Sequence, residues 1–260
     1  MWIFYLSLEV VMVPKIVFHK LSVEENVNYV IQFYQNERED DFINRRDAMI
    51  RTFPALREII RSNMTEDGII KEIEEEVIRS YQEESFDMDR LLIDYQQYFD
   101  VSSKSFLSFL SQVLGCDWPE SMKVISVYVG ILPAHFGISE TSSIYLCSSS
   151  MGEVFSNLIH ELTHFLYFQK WRLLHRFSKP STFLYPGTIW EYSEMVIDPI
   201  LNRAAIKGLF YDIPGMHYAA ESFCYDHKHS LVMFELQTLF PKENIDDAIK
   251  KGYRMFLSSK

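Results

Sequence analysis

The chain has 260 residues, 48% of them hydrophobic and 23% charged, enough apolar material for a packed core and too much for a disordered chain. Its 25 basic and 36 acidic residues leave a formal net charge of −11, which repels phosphate and argues against nucleic acid and against an anionic membrane surface as partners. Three cysteines (Cys116, Cys147 and Cys224) contain no CxxC pair, which argues against a disulfide framework and fits a reducing, cytoplasmic setting.

Residues 1–13 (MWIFYLSLEVVMV) are apolar around Glu9 but have no basic leader and no small-residue cleavage site. They also fall short of the roughly 20 apolar residues that span a bilayer. They read as a buried strand, or as an extension upstream of an initiator at Met12. Residues 15–19 read as a strand. Ser22 and Glu25 form a capping box that predicts an amphipathic helix to about residue 36. A charged bend follows at 37–41, then a helical pattern over 42–61 that Pro54 kinks or breaks. A third helix over 66–80 places Ile69, Ile70, Ile73, Val77 and Ile78 on an apolar stripe. Its Glu72, Glu74, Glu75 and Glu76 read as a solvated face. Two more helices are predicted over 87–99 and 103–114.

The pattern then changes to β-branched and aromatic residues, predicting strands over 123–131 and 143–148. Between them, Pro133 and Gly137 must turn the chain. Ser150 and Glu153 form a second capping box, opening a helix with apolar flanks. Further helices are predicted over 188–205, 216–240 and 244–257. The chain has neither an internal repeat nor a linker rich in Pro, Gly or Ser. The reading is a mostly helical α+β fold with a small mixed sheet. A helical N-terminal lobe (1–120), not clearly separable, stands over a region (121–260) that carries the chemistry.

That chemistry is concentrated in residues 157–167, NLIHELTHFLY, where His160, Glu161 and His164 form HExxH. Residues four apart share one helix face, about 5–6 Å between Cβ atoms, so two imidazoles there can converge on one Zn²⁺. Glu161 sits one step round the helix and can reach a metal-associated water as general base without taking a ligand position. Residues 188–201, TIWEYSEMVIDPIL, place Glu191, Glu194 and Asp198 on one face beside Trp190, Ile197 and Leu201. Carboxylates on a half-apolar face call for a cation. Cys116, Cys147 and Cys224 read as buried and inert rather than nucleophilic.

An apolar HELTH helix followed by a helix with Glu-x-x-x-Asp resembles the gluzincin, thermolysin-like zinc metallopeptidases, over roughly residues 123–202. The resemblance implies a zincin-like fold and hydrolysis of peptide bonds. His160, His164 and Glu194 would then be the zinc ligands, with Glu191 as the alternative carboxylate. Glu161 would be the base. Asp198 would accept a hydrogen bond from a ligand imidazole, His160 first. Tyr192, His217 and Tyr218 are the candidate donors to the developing oxyanion, ahead of His227 and His229. Substrate would lie along an edge strand expected at 134–138, where Gly137 permits close backbone approach; a plain hairpin turn is the other reading of that segment. The expected partner is a peptide or protein substrate, and the oligomeric state is not legible. A zinc-binding zincin-like regulatory module without turnover, and a metal-free helical interaction protein, are the competing readings.

Overall fold

The computed structural model describes residues 12–36, 44–184, 187–202 and 230–260. Its frame is a four-stranded mixed sheet in the order β1-β2-β4-β3. β1 (Lys15–Lys20), β2 (Val124–Gly130) and β4 (Ser143–Cys147) run parallel, and β3 (Phe136–Ile138) lies antiparallel to β4 at the edge. The segment expected to form the edge thus does so, over three residues.

Several helices begin where the sequence supplies side-chain caps. Ser22 starts α1 (Val23–Gln35): its side chain accepts from the Glu25 N–H, and Glu25 accepts from the Ser22 N–H at 2.8 Å. Asn44 caps α2 (Arg45–Thr52). Pro54 interrupts the pattern as expected, opening a 3₁₀ turn before the single turn α3 (Arg57–Ile60). Thr65 then caps α4 (Glu66–Leu114), a single element of 49 residues where three helices were predicted. Neither Pro nor Gly occurs between Ile69 and Leu114, so nothing in the chain forces a stop. Ser102, at one predicted break, hydrogen-bonds back to the Tyr98 carbonyl at 3.1 Å. The helix ends at Gly115, whose φ of 59° is the left-handed cap that glycine adopts without strain.

The sheet is followed by α5 (Met151–Leu174), α6 (Thr188–Leu201), α7 (Ser230–Leu239) and α8 (Ile245–Ser259). Ser150 caps α5 by accepting from the Glu153 N–H, while the Glu153 carboxylate takes the Ser149 and Ser150 hydroxyls. Residues 1–11, the bend at 37–41 and the first part of the helix predicted over 216–240 lie outside the described residues. No described helix is long and apolar enough to cross a membrane.

Strand alternation sorts the sheet into two faces. Ile125, Val127, Val129, Ile144 and Leu146 are fully buried in the main core with α5 and the C-terminal half of α4. On the other face His19, Tyr128, Tyr145 and Phe136 are register neighbours. They stack across all four strands, with centroids 5.1, 5.2 and 4.7 Å apart. A smaller core gathers α1, α2, α3 and the N-terminal half of α4 around Val30, Met49, Phe53, Ile73 and Val77. The main core takes Ile16, Phe18 and the stretch of α4 from Tyr95 onward, so β1 and half of α4 belong with the residues after 120.

Two side-chain clusters fix α5 against its neighbours. Lys170 is buried, its Nζ 2.5 Å from Asp246 Oδ1 and 3.4 Å from the Gly115 carbonyl, tying α5 to the end of α4 and the start of α8. Trp171, Tyr192, Tyr253 and Phe256 pack ring on ring, joining α5, α6 and α8.

Candidate metal centre

α5 is buried along most of its length, and its imidazoles come with it: His160 and His164 are 3% and 4% exposed. The four-residue spacing turns both rings to one side, where their Nε2 atoms lie 2.9 Å apart. The aromatic cluster holds α6 so that Glu194 enters from opposite. Its Oε2 is 3.3 Å from His160 Nε2, and its Oε1 is 3.3 Å from His164 Nε2. Ligands at 2.0–2.1 Å in tetrahedral array are separated by about 3.3–3.4 Å; the two imidazole–carboxylate separations match this, the 2.9 Å between the imidazoles is shorter, and the three side chains form a group that could hold a metal ion. Burial works against charge on Glu194, but His164 and His160 overcome it and hold its carboxyl well below the usual range. A buried anion facing two imidazoles is a site that favours a cation.

Glu161 stands beside this triangle. Burial pushes its carboxyl up to about 7; His160 opposes the rise, Glu194 adds to it, and a hydrogen bond from the Gly137 N–H opposes it again. Gly137 is necessary here, because a Cβ at that position would lie 2.7 Å from Phe165 Cε1 and 2.8 Å from Glu161 Oε2. β3 can therefore press its backbone onto α5 only through this glycine.

Sequence reasoning missed His135, on the approach to β3. Its Nε2 is 3.8 Å from Glu161 Oε1, and its ring meets the His160 ring edge-on at 5.9 Å. Burial, reinforced by His160, pushes its imidazole down to about 4, with Glu194 opposing the fall. The signal was available: His135 is two residues before Gly137, and period-two alternation puts both on the side facing α5.

The other candidates fall differently. Glu191 is turned away, its carboxylate 2.5 Å from Lys260 Nζ, which leaves Glu194 as the carboxylate between the imidazoles. Asp198 is fully buried one turn further along α6. The expectation that Tyr192 serves the site is corrected. It lies two residues from Glu194, about 200° round the helix, and its hydroxyl donates to the Ile249 carbonyl at 3.1 Å inside the aromatic cluster. His217, Tyr218, His227, His229 and Cys224 lie outside the described residues. Cys116 and Cys147 are half-buried, and burial pushes the Cys116 thiol up to about 12.

The triangle opens into a cleft of about 470 Å³. The cleft is lined by residues 134–140, by Tyr29 and Phe33 of α1 and Arg45 of α2, and by Phe168, Phe183 and Trp190. Comparison with known proteins gives no matching family model, no matching curated protein and no matching solved structure.

Proposed function

We propose that the chain is a zinc-dependent metallopeptidase with a zincin-like arrangement, cleaving peptide bonds with a water activated by Glu161. The observation that carries this reading is the buried triangle of His160, His164 and Glu194 with a further carboxyl, Glu161, on its cleft side. His160, His164 and Glu194 would hold the ion. When bound, it would lower the pKa of an associated water and polarise the scissile carbonyl.

The chain's own groups do the rest. The Gly137 N–H orients the Glu161 carboxylate, which takes one proton from the attacking water. As the new C–O bond forms, the carbonyl π pair moves to oxygen. On collapse the C–N bond breaks, and Glu161 returns the proton to the leaving amine. β3 is an edge strand of the sheet, so an extended peptide can pair along its outer side, where the backbone already touches Glu161. Asp198, a turn beyond Glu194, is the residue assigned to orient a ligand imidazole. The cysteine content favours a reducing, cytoplasmic compartment.

The test is protein purified without chelator, analysed for metal, and assayed on casein and on mixed fluorogenic peptides. About one equivalent of zinc is expected. Glu161→Gln should keep that zinc and lose about 10²–10⁴-fold in turnover, the usual worth of a positioned base. Absence of zinc, or equal turnover in wild type and E161Q, overturns the assignment.

A further inference from the structure

We propose that His135 is a further catalytic residue of this site, donating a hydrogen bond from the edge-strand side to the carbonyl oxygen of the bond being cleaved. The inference rests on the peptidase reading and adds the group that meets the developing negative charge.

The first support is position. The short run from His135 to Gly137 approaches α5 twice, with the Gly137 N–H on the Glu161 carboxylate and the His135 ring beside it. A substrate backbone pairing with β3 must therefore pass His135 to bring its carbonyl to Glu161. The second is engagement. At 3.8 Å from Glu161 Oε1, His135 Nε2 is beyond hydrogen-bond distance. The ring is braced on one side by His160 and lines the cleft on the other, with its side chain 27% exposed. The third is reach. Ring nitrogens of His135 and His160 and a Glu161 carboxylate oxygen all lie within 4.8 Å of one another. That separation puts both groups at one reaction centre, His135 within reach of the carbonyl oxygen and Glu161 within reach of the attacking water beside it. The fourth concerns the expected donors. Of the three from the C-terminal half, Tyr192 is bonded to Ile249 in the core, and His217 and Tyr218 lie outside the described residues. Among the described residues lining the cleft, His135 is the polar donor placed beside the base.

A donor aimed at a developing oxyanion is worth about 10²–10³ in kcat and little in ground-state binding. The experiment uses the zinc-loaded full chain as wild type, His135→Ala and His135→Asn, the last retaining a short N–H donor. On a fluorogenic peptide that wild type cleaves, H135A should lose about 10²–10³-fold in kcat, with KM and zinc affinity within about threefold. H135N should recover part of the loss. By calorimetry, a phosphinic peptide analogue that mimics the tetrahedral geometry should bind H135A about 100-fold more weakly. The uncleaved peptide should bind E161Q and E161Q/H135A equally. A wild-type-like kcat in H135A with E161Q inactive overturns this inference alone. So does a loss of zinc affinity in H135A, which would make His135 a ligand. Inert wild-type protein overturns it together with the peptidase reading.

Discussion

Replacing Gly137 by alanine tests the link between the edge strand and the base. The added methyl would lie 2.7 Å from Phe165 Cε1, 3.2 Å from Phe165 Cζ and 2.8 Å from Glu161 Oε2. Carbon atoms pack at about 3.5–4.0 Å, so either the Phe165 ring or β3 must move by about 1 Å, and Phe165 is 2% exposed. Overpacking of this kind costs about 1–3 kcal/mol, or about 2–12 °C in Tm for a chain of this size. The carboxylate must also give way, and a misplacement approaching 1 Å at a reacting group costs up to about 100-fold. G137A should therefore melt earlier and turn over about 10–100-fold more slowly, with zinc affinity unchanged because the proposed ligands His160, His164 and Glu194 are untouched. Thermal melts, chelator competition and peptide hydrolysis read the three effects separately. Gly130→Ala is the control: its methyl would meet Asn26 and Leu21, away from the cleft, so it should lower Tm and leave kcat of the folded protein intact. A G137A protein with wild-type Tm and wild-type turnover would refute the claim that β3 presses on Glu161.

Three further outcomes are expected. Glu194→Ala should weaken zinc binding at least about 100-fold in chelator competition, whereas Glu191→Ala, whose carboxylate pairs with Lys260, should stay within about threefold. Saturating EDTA should lower Tm, and zinc restored at 100 times its Kd should return about 2.7 kcal/mol of stability; an unchanged melt speaks against the site. Because the Cys116 thiol is pushed up to about 12, its thiolate fraction at pH 8 is about 10⁻⁴. Mass spectrometry should find it alkylated by iodoacetamide far more slowly in native protein than in urea.

What could be read from sequence was local. The HExxH spacing puts two imidazoles on one helix face whatever surrounds them, and Ser22, Glu25 and Pro54 act through the adjacent backbone. What escaped was tertiary or periodic. Glu191 and Glu194 are equivalent on the helix until Lys260, from the far end of the chain, claims the first. The run of α4 past residues 80–87 and 99–103 follows from an absence of breakers, although its serines weaken the helical pattern there. Residues two apart on a helix do not share a side, so the Tyr192 that packs with Trp171 and Tyr253 does not also face the imidazoles with Glu194. The same rule applied to a strand, where residues two apart do share a side, would have paired His135 with Gly137.

The path of the backbone through the two cores has a consequence for how such a protein can change. The chain contributes β1 to the main sheet, leaves to build α1, α2 and α3, and returns along α4 to the same core. The smaller core is in effect an insert with both ends anchored, and it places Tyr29, Phe33 and Arg45 over the cleft. That insert is packed in a different core from the helices that bear the imidazoles and Glu194, so on the peptidase proposal substitutions at Phe33 or Arg45 would bear on what the cleft admits more than on the reaction.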